Sequence, residues 1–237
     1  DAPDGGQLCH MGRWWLPKST EGERLEAPMI REGSTFREAT WEEALDEIAA
    51  RMGPALKVGR AGALVSELST DEELTVISSF FDDTLKMDKV DGFFGNTLRA
   101  LVKGLKPFAA QGVRPFTAAS NILGSDAVLL LEADPQKDAP VMASYVRVAT
   151  IVNGAKLINV SSGKSPFEGI TDVHVPAGKK ELVGLLGSLR AAVRGEAGDV
   201  PPALKEAAEI LRNAKKPVIV IGCGAMENNP AAVVEAV

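Results

Sequence analysis

The sequence predicts an α/β fold with parallel, Rossmann-like sheets and flanking helices, preceded by a short irregular segment. Short apolar runs alternate along the chain with segments whose apolar residues recur at helical spacing, a pattern typical of βαβ units. The run Ala127–Leu131 is continuously apolar and lies between Gly124-Ser125 and Asp134-Pro135, as expected for a parallel strand that is buried on both faces. We therefore expect helices on both sides of the sheet.

Each element has its own local signal. Two capping-box pairs, Thr40 with Glu43 and Thr70 with Glu73, predict helices that begin just after each threonine. The predicted helices cover residues 41–52, 71–85, 96–105, 140–152, 181–193, 202–214 and 230–237. The predicted strands cover residues 61–66, 89–92, 126–131, 156–160, 171–175 and 218–222.

Composition and charge narrow the possible function classes. The chain has 237 residues, of which 45% are hydrophobic, and a net charge of −6 without a basic block, so we expect no nucleic-acid partner. Its apolar runs are far shorter than the roughly 20 residues that cross a bilayer, so we expect no direct membrane insertion. Cys9 and Cys223 are the two cysteines, which favours a reducing, cytoplasmic compartment. The start at Asp1, without a signal-peptide pattern, suggests a fragment or a processed chain.

Three segments near the start of the chain carry a family pattern. They are Leu8–Pro17, in which Cys9 precedes Gly12-Arg13-Trp14, then Arg24–Arg31, and then Ala39–Leu45. Together they resemble the large iron–sulfur subunits of the molybdopterin oxidoreductase superfamily. That superfamily includes formate dehydrogenases and the large iron–sulfur subunit in the peripheral arm of NADH dehydrogenase (complex I). A weaker resemblance covers the rest of the chain.

The resemblance implies one metal ligand, Cys9. In the family, the cysteine of this motif is the last of four thiolates that hold a [4Fe–4S] cluster. Because the only other cysteine is the distant Cys223, we expect the remaining ligands to lie outside this chain, in the intact parent protein. Arg13 would be an electropositive neighbour of the cluster, and His10 could flank it. Without the resemblance, a lone cysteine such as Cys9 is more often an ordinary surface or core thiol.

Four places depart from the pattern of family members that bind molybdopterin. Met11 stands where catalytic formate dehydrogenases typically carry a Lys, and Val90–Asn96 offers no Cys, Sec or Ser as a molybdenum ligand. Glu132–Pro140 stands in place of a G-x-N-P-x-x-x-H-P motif, with the Asn and the His lost. Val160–Gly163 replaces a D-P-R sequence whose Arg suits phosphate. We therefore expect no working molybdopterin site, and we assign no catalytic or cofactor-binding residue.

Two further features have ordinary structural interpretations. The turn Gly222-Cys223-Gly224 follows an apolar run, and its backbone N–H groups could face a phosphate. The run also resembles the central domain of thiamine-diphosphate enzymes. Because the full dinucleotide motif is missing, we expect a plain strand-to-helix turn with Cys223 buried. His174 lies in an alternating strand and is expected to face solvent, and we find no Ser/His/Asp or Cys/His set for hydrolysis.

By resemblance, we expect an electron-transfer and scaffold iron–sulfur subunit of an NADH dehydrogenase-like oxidoreductase complex, in the cytoplasm or on the cytoplasmic side of a membrane complex. Its partners would be flavin/NADH and other iron–sulfur subunits. Two alternatives stay open: a catalytic molybdopterin subunit such as a formate dehydrogenase, and a cofactor-free interaction module. We expect residues 1–38 to be a remnant of an iron–sulfur cluster domain. Residues 39–198 would form an α/β molybdopterin-oxidoreductase-like domain, and residues 199–237 the truncated start of a second α/β unit.

Overall fold

Contacts between residues divide the chain into two units. The smaller unit is Ser19–Gly95, and the larger unit combines Asp1–Lys18 with Asn96–Val237. The structure, a computed structural model, describes residues 6–15, 22, 24–66, 68–92, 95–112, 117–196, 198–226 and 230–236. Among these residues, no helix has the length and apolar character needed to cross a membrane.

The smaller unit includes a β-hairpin that the sequence analysis did not predict. Strands β1 (Met29–Glu32) and β2 (Thr35–Glu38) pair antiparallel. The turn between them uses Gly33 at φ +65°, a conformation that glycine adopts because it lacks a Cβ atom. The guanidinium of Arg31 lies 4.7 Å from the centre of the Phe36 ring, a cation–π contact across the two strands.

Capping boxes begin both helices of the smaller unit, as the sequence predicts. Helix α1 (Trp41–Lys57) starts where Thr40 Oγ1 accepts a hydrogen bond from the Glu43 N–H at 3.2 Å. In return, the Glu43 carboxylate accepts the Thr40 N–H at 2.9 Å. A second box at Thr70 begins α2 (Asp71–Ser79). Each box satisfies backbone N–H groups that the helix itself leaves unpaired.

Two short parallel strands complete the smaller unit. Strand β3 (Ala63–Val65) pairs with β4 (Val90–Gly92), and the crossover between them contains α2 and a π-helical turn, Phe80–Thr84. Among the described residues of this unit, Phe81 and Met87 are the buried apolar side chains. Helix α1 buries none of its residues. Its exposed apolar side chains include Trp41, Leu45, Ile48 and Met52.

The larger unit is built on a four-stranded sheet whose strands are all parallel. From residue 95 onward the elements are α3 (Gly95–Ala110), a 3₁₀ turn (Ala119–Gly124), β5 (Ala127–Leu131), α4 (Pro135–Asp138), α5 (Pro140–Arg147), a π-helical turn (Val148–Val152), β6 (Lys156–Ser161), β7 (Val173–Pro176), α6 (Leu182–Arg194), α7 (Pro202–Asn213), β8 (Pro217–Ile221), α8 (Cys223–Met226) and α9 (Pro230–Ala236). The strand order is β7-β6-β5-β8. This arrangement confirms the predicted α/β fold with a parallel sheet and flanking helices.

The side chains of β5 alternate between two hydrophobic cores. Leu129 and Leu131 belong to the core that the sheet forms with α6, α7 and α9. Val128 and Leu130 belong to the core that it forms with the 3₁₀ turn and α5. Because successive side chains of a strand point to opposite faces, one short run serves both cores. The sheet is therefore the middle layer of three.

Residues 199–237 contribute their strand to this same sheet. The sequence analysis expects them to begin a second α/β unit, whereas β8 pairs with β5 over its full length. A central parallel strand needs a partner on each edge, and β6 supplies only one of them. The division between the two units falls at Gly95 and Asn96, inside the region that the sequence analysis treats as one domain.

The Asp126 carboxylate, just before β5, bonds the residues that lead into β8. The two Asp126 carboxylate oxygens accept hydrogen bonds from the backbone N–H groups of Lys215, at 2.7 Å, and Lys216, at 2.9 Å. Mainly through these two donors, with Lys215 first, the pKa of Asp126 lies below its ordinary value of 3.8. Asp172 makes a similar link from the start of β7 to β6, where it accepts the Leu157 N–H at 2.8 Å.

The replacement Asp126→Asn should make the larger unit less stable near neutral pH and less sensitive to acid. A carboxylate whose pKa is lowered by folding stabilises the fold above its ordinary pKa, and this stabilisation disappears as the pH falls through the lowered value. We expect the Tm of the variant to lie below that of the wild type at about pH 7. The two should converge as the pH falls below 3.8 and through the lowered pKa of Asp126. Thermal unfolding followed by circular dichroism checks this. Asp199→Asn, at an exposed aspartate of the same unit, is the control, and a constant gap between variant and wild type at all pH values would contradict the prediction.

Candidate functional site

The segment that carries Cys9 is folded into a turn. Residues Met11–Trp15 form one π-helical turn, and the Arg13 N–H donates a hydrogen bond to the Cys9 carbonyl oxygen at 3.1 Å. The Arg13 side chain also bonds this segment, since its Nε donates to the Leu8 carbonyl oxygen at 3.2 Å. The guanidinium of Arg13 therefore lies next to the backbone of residues 8 and 9.

Cys9 lines a cavity of about 360 Å³, which we call the Cys9 cavity. Its polar lining includes Gln7, Cys9 and His10 on one side and Gln136, Ser144 and Arg147 on the other. The side chain of Cys9 is partly buried, whereas that of His10 is exposed. The structure therefore places Cys9 beside α5, in the larger unit.

Two polar side chains of the Cys9 cavity are held by the segment between β6 and β7. The Gln136 side-chain amide donates a hydrogen bond to the Pro166 carbonyl oxygen. The Arg147 guanidinium lies 5.3 Å from the centre of the Phe167 ring, within the range of a cation–π contact. These contacts restrain the wall of the cavity that faces Cys9.

Cys9 is the one cysteine among the described residues that line this cavity. An iron–sulfur cluster is most often held by four thiolates, and the described part of the chain contains no group of three or more His, Cys, Asp or Glu residues that could hold a metal ion. Cys223 does not line the Cys9 cavity. It is exposed, at the first position of α8, so the expectation that it is buried is wrong. A strand-to-helix turn at the sheet edge leaves this side chain outside both cores.

Two positions that differ from catalytic relatives have ordinary surroundings. The Met11 side chain is exposed. The Asp91 carboxylate, in β4, accepts the N–H of the next residue, Gly92, at 2.9 Å. Phe93 and Phe94, which follow β4, lie outside the described residues.

The second candidate region is the carboxyl edge of the four-stranded sheet. Strand order reverses at β5, which lies between β6 and β8, and open α/β sheets bind ligands in the crevice at this switch point. Glu132 follows β5 directly and has φ +43°, a left-handed conformation that favours glycine. In the motif G-x-N-P-x-x-x-H-P, the matching position is the first glycine. The chain therefore carries an acidic side chain at a position whose backbone conformation favours glycine.

The Glu132 carboxylate lies across the end of β5. Its Oε1 atom accepts the backbone N–H of Ser162, just after β6, at 2.5 Å. Its Oε2 atom lies on the side of β8, where a Cβ atom added to Gly224 would be 3.5 Å away. The Glu132 N–H donates to the Val160 carbonyl oxygen at 2.9 Å. A single acidic side chain therefore spans the crevice between the segments that follow β6 and β8.

Gly222 brings the backbones that follow β5 and β8 into direct contact. Its N–H donates to the Leu131 carbonyl oxygen at 2.9 Å. A Cβ atom at this position would lie 2.5 Å from the Cα atom of Ala133 and closer still to the carbonyl oxygen of Glu132. Because both atoms belong to backbone, neither can move aside cheaply, and only glycine fits.

The other positions of the lost motifs have structural roles. The Asp134 carboxylate caps the short helix α4 by accepting the Gln136 N–H at 3.2 Å. Ser161, in the segment that replaces D-P-R, accepts a hydrogen bond from the Asn159 side-chain amide at 2.7 Å and donates to the Gly163 carbonyl oxygen at 3.0 Å. Both positions therefore bond the chain itself.

His174 belongs to the same polar cluster, so the expectation that it faces solvent is wrong. It is partly buried, and its Nε2 atom lies 3.4 Å from Ser161 Oγ. The physical reason is register, because His174 lies opposite the fully buried Asn159 in the pairing of β6 with β7. Within the described residues, the side-chain oxygen of Asn159 has no hydrogen-bond partner. Sequence analysis missed Asn159 because it lies inside a predicted strand.

Comparison with known proteins settles the class. The sequence profile described as molybdopterin oxidoreductase matches residues 24–234. The chain therefore belongs to the molybdopterin oxidoreductase family, as its first fifty residues suggest.

Individual relatives fall into two groups. The formate dehydrogenase-like protein YrhE of Bacillus subtilis is 28% identical over 179 residues, which is 74% of this chain and 18% of that protein. NADH-quinone oxidoreductase subunit 3 of Thermus thermophilus is 26% identical over 260 residues, 95% of this chain and 29% of that subunit. The mitochondrial NADH-ubiquinone oxidoreductase 78 kDa subunit of Candida albicans is 24% identical over 212 residues, 87% of this chain and 25% of that subunit. The chain spans less than a third of the length of each of these relatives.

Solved structures support the same fold. Acetylene hydratase from Pelobacter acetylenicus superposes with a TM-score of 0.69 at 14% identity, over 97% of this chain and 36% of that chain. The formyltransferase/hydrolase complex from Methylorubrum extorquens contains a chain that superposes with a TM-score of 0.55 at 22% identity, over 80% of this chain and 52% of that chain. At these identities, the likeness concerns the fold alone.

The replacement Gly222→Ala should destabilise the larger unit by about 1–3 kcal/mol, the usual cost of forcing extra atoms into a packed site. Gly187→Ala is the matched control, because Gly187 lies in α6 and a Cβ atom there meets nothing within 4 Å. In that helix, alanine is favoured over glycine by up to about 1 kcal/mol. Urea denaturation of both variants measures the two free energies of unfolding. Equal effects at the two positions would contradict the close approach at Gly222.

Proposed function

We propose that the chain is part of an electron-transfer and scaffold iron–sulfur subunit of an NADH dehydrogenase-like oxidoreductase complex. In this proposal, Cys9 supplies one thiolate to a [4Fe–4S] cluster whose other ligands lie outside this chain. The cluster would carry single electrons when bound. The larger unit would act as a scaffold that contacts the neighbouring flavin/NADH and iron–sulfur subunits of the complex.

The position of Cys9 is the observation that carries the proposal. Its thiol is partly buried at the edge of the Cys9 cavity, where an inorganic group can be reached without unfolding the sheet. Arg13 brings a positive charge to the adjacent backbone. Charges and hydrogen bonds around an iron–sulfur cluster adjust its reduction potential. We therefore assign Cys9 as ligand and Arg13 as an electropositive neighbour.

The residues at the carboxyl edge do not fit a molybdopterin dinucleotide. Glu132 places a negative charge in the crevice and already accepts the Ser162 N–H. Ser161 bonds Asn159 and Gly163, and the Arg of the D-P-R sequence, which would suit phosphate, is missing from this segment. Met11 carries no charge that could link a cluster to a pterin. These substitutions support a subunit without a working molybdopterin site, and we derive no step through that cofactor.

Two other functions are to be tested against this one: a catalytic molybdopterin subunit and a cofactor-free interaction module. Similarity to YrhE of Bacillus subtilis would fit a catalytic molybdopterin subunit such as a formate dehydrogenase. A cofactor-free interaction module would keep the fold without using Cys9. Molybdenum or tungsten in the intact protein identifies the catalytic alternative. Dependence of the bound iron on Cys9 separates the proposed function from the interaction module.

The test compares Cys9→Ala with Cys223→Ala in the longest natural version of the protein, purified without oxygen. The wild type is expected to contain iron without molybdenum or tungsten. Cys9→Ala should lose about four iron atoms, one cluster, together with one iron–sulfur electron paramagnetic resonance signal. Cys223→Ala, at an exposed thiol, should keep both.

Each other result has a definite meaning. Molybdenum or tungsten at about one atom per chain would establish the catalytic alternative and overturn the proposal. Iron that survives unchanged in Cys9→Ala would overturn the assignment of Cys9 and favour the interaction module. Equal losses in both cysteine variants would also overturn the assignment, because the loss would then not depend on the position of Cys9.

A further inference from the structure

We propose that the Glu132 side chain closes the switch-point crevice of the sheet to anionic ligands, because it fills this edge and accepts the Ser162 N–H itself. The inference rests on the proposed function, since it explains why this edge would hold no dinucleotide. It goes beyond the proposed function because it assigns the closure of the crevice to a single side chain, that of Glu132. The crevice is then a latent phosphate site that the chain occupies itself.

The Glu132 carboxylate makes the kind of contact that a phosphate oxygen makes at such an edge. A backbone N–H that follows a parallel strand is a natural donor to phosphate at the switch point. Here the N–H of Ser162 donates to Glu132 Oε1 at 2.5 Å. A short hydrogen bond to a charged acceptor is stronger than one between neutral groups. An incoming anion would have to displace this bond to reach the Ser162 N–H.

Conformation provides a second, independent line of support. Residues with a Cβ atom avoid the left-handed backbone region, yet Glu132 adopts φ +43° there. Its main chain is held by the bond from its N–H to the Val160 carbonyl oxygen and by the close approach of Gly222. The backbone at this position is therefore already suited to glycine. Replacement by glycine removes the side chain while the path of the main chain stays the same.

The absence of a side chain at Gly224 leaves room for the Glu132 side chain beside the neighbouring turn. A Cβ atom at Gly224 would lie 3.3 Å from the Glu132 Cβ atom and 3.5 Å from its Oε2 atom. Without the Glu132 side chain, this Gly-rich turn and the Ser162 N–H would border an open crevice. The Ser162 N–H would then be a backbone donor without its carboxylate partner, and backbone N–H groups of this kind bind phosphate.

The test uses inorganic pyrophosphate as the probe and isothermal titration calorimetry on the whole 237-residue chain. The wild type should show no binding up to about 10 mM, and Glu132→Gly should bind at least about tenfold more tightly than that limit. Glu132→Gln keeps an oxygen acceptor for the Ser162 N–H and nearly the same volume, so it should stay closed. Glu196→Gly removes an equal charge at an exposed glutamate just after α6, and it should also stay closed.

Location and folding are checked on the same samples. In ¹H–¹⁵N correlation spectra of Glu132→Gly, the Ser162 amide should shift on addition of pyrophosphate. Far-ultraviolet circular dichroism shows whether each variant is folded. If Glu132→Gly does not fold, Glu132→Ala in the same titration takes its place, since it also removes the carboxylate.

Three results would overturn the inference. They are pyrophosphate binding by the wild type with a shift of the Ser162 amide, no gain in binding in folded Glu132→Gly or Glu132→Ala, and equal gains in Glu132→Gln and Glu132→Gly. Equal gains would mean that the charge of Glu132, and not its occupation of the Ser162 N–H, excludes the anion. The proposed function fails separately, through molybdenum or tungsten in the intact protein or through iron that is retained in Cys9→Ala. Neither of those metal measurements uses pyrophosphate binding.

Discussion

The burial of β5 on both faces and both edges is the constraint on which the larger unit depends. Every residue of this strand is buried, and burying an aliphatic side chain contributes roughly 1.5–3 kcal/mol. Because β6 and β8 pair along its two edges, the strand cannot slide by one residue without exchanging its two cores. The points at which the chain enters and leaves β5 are therefore fixed, and residues that follow the strand reach the carboxyl edge at a set position.

Acidic residues at the two ends of β5 use this fixed geometry in the same way. Asp126, before the strand, accepts backbone N–H groups from Lys215 and Lys216 beside β8. Glu132, after the strand, accepts the N–H of Ser162 beyond β6. Each carboxylate thereby accepts a backbone N–H from a residue just outside a neighbouring strand. The hydrogen bonds between the strands do not reach these N–H groups. The sheet is held at one end to β8 and at the other to the segment after β6.

How far the sequence predicts this structure depends on how local each signal is. Both helix starts at Thr40 and Thr70 are confirmed, because a capping box needs only four consecutive residues. The β1–β2 hairpin was missed, since its strands are four residues long and mostly exposed and so show no apolar alternation. The place of β8 depends on pairing with a strand about ninety residues earlier, which periodicity does not reveal.

The candidate site was only partly predictable from the sequence: a motif comparison pointed to Cys9 and to the lost Asn and His. It missed Glu132, whose importance depends on φ +43° and on the position of Ser162.

The scaffold and the candidate sites are energetically separate, and this separation bears on how such a family can change function. The two cores are formed mainly by apolar side chains of the strands and helices, whereas the positions matched to pterin motifs lie at the end of β6 and on the segments that follow β5 and β6. Replacing ligand contacts on these segments therefore leaves the cores intact. Such replacements leave backbone N–H groups at the sheet edge without the ligand that would otherwise accept them. An N–H group without a partner is unfavourable wherever water is excluded. Under the proposed function, Glu132 resolves that conflict, because its carboxylate supplies the acceptor from within the chain.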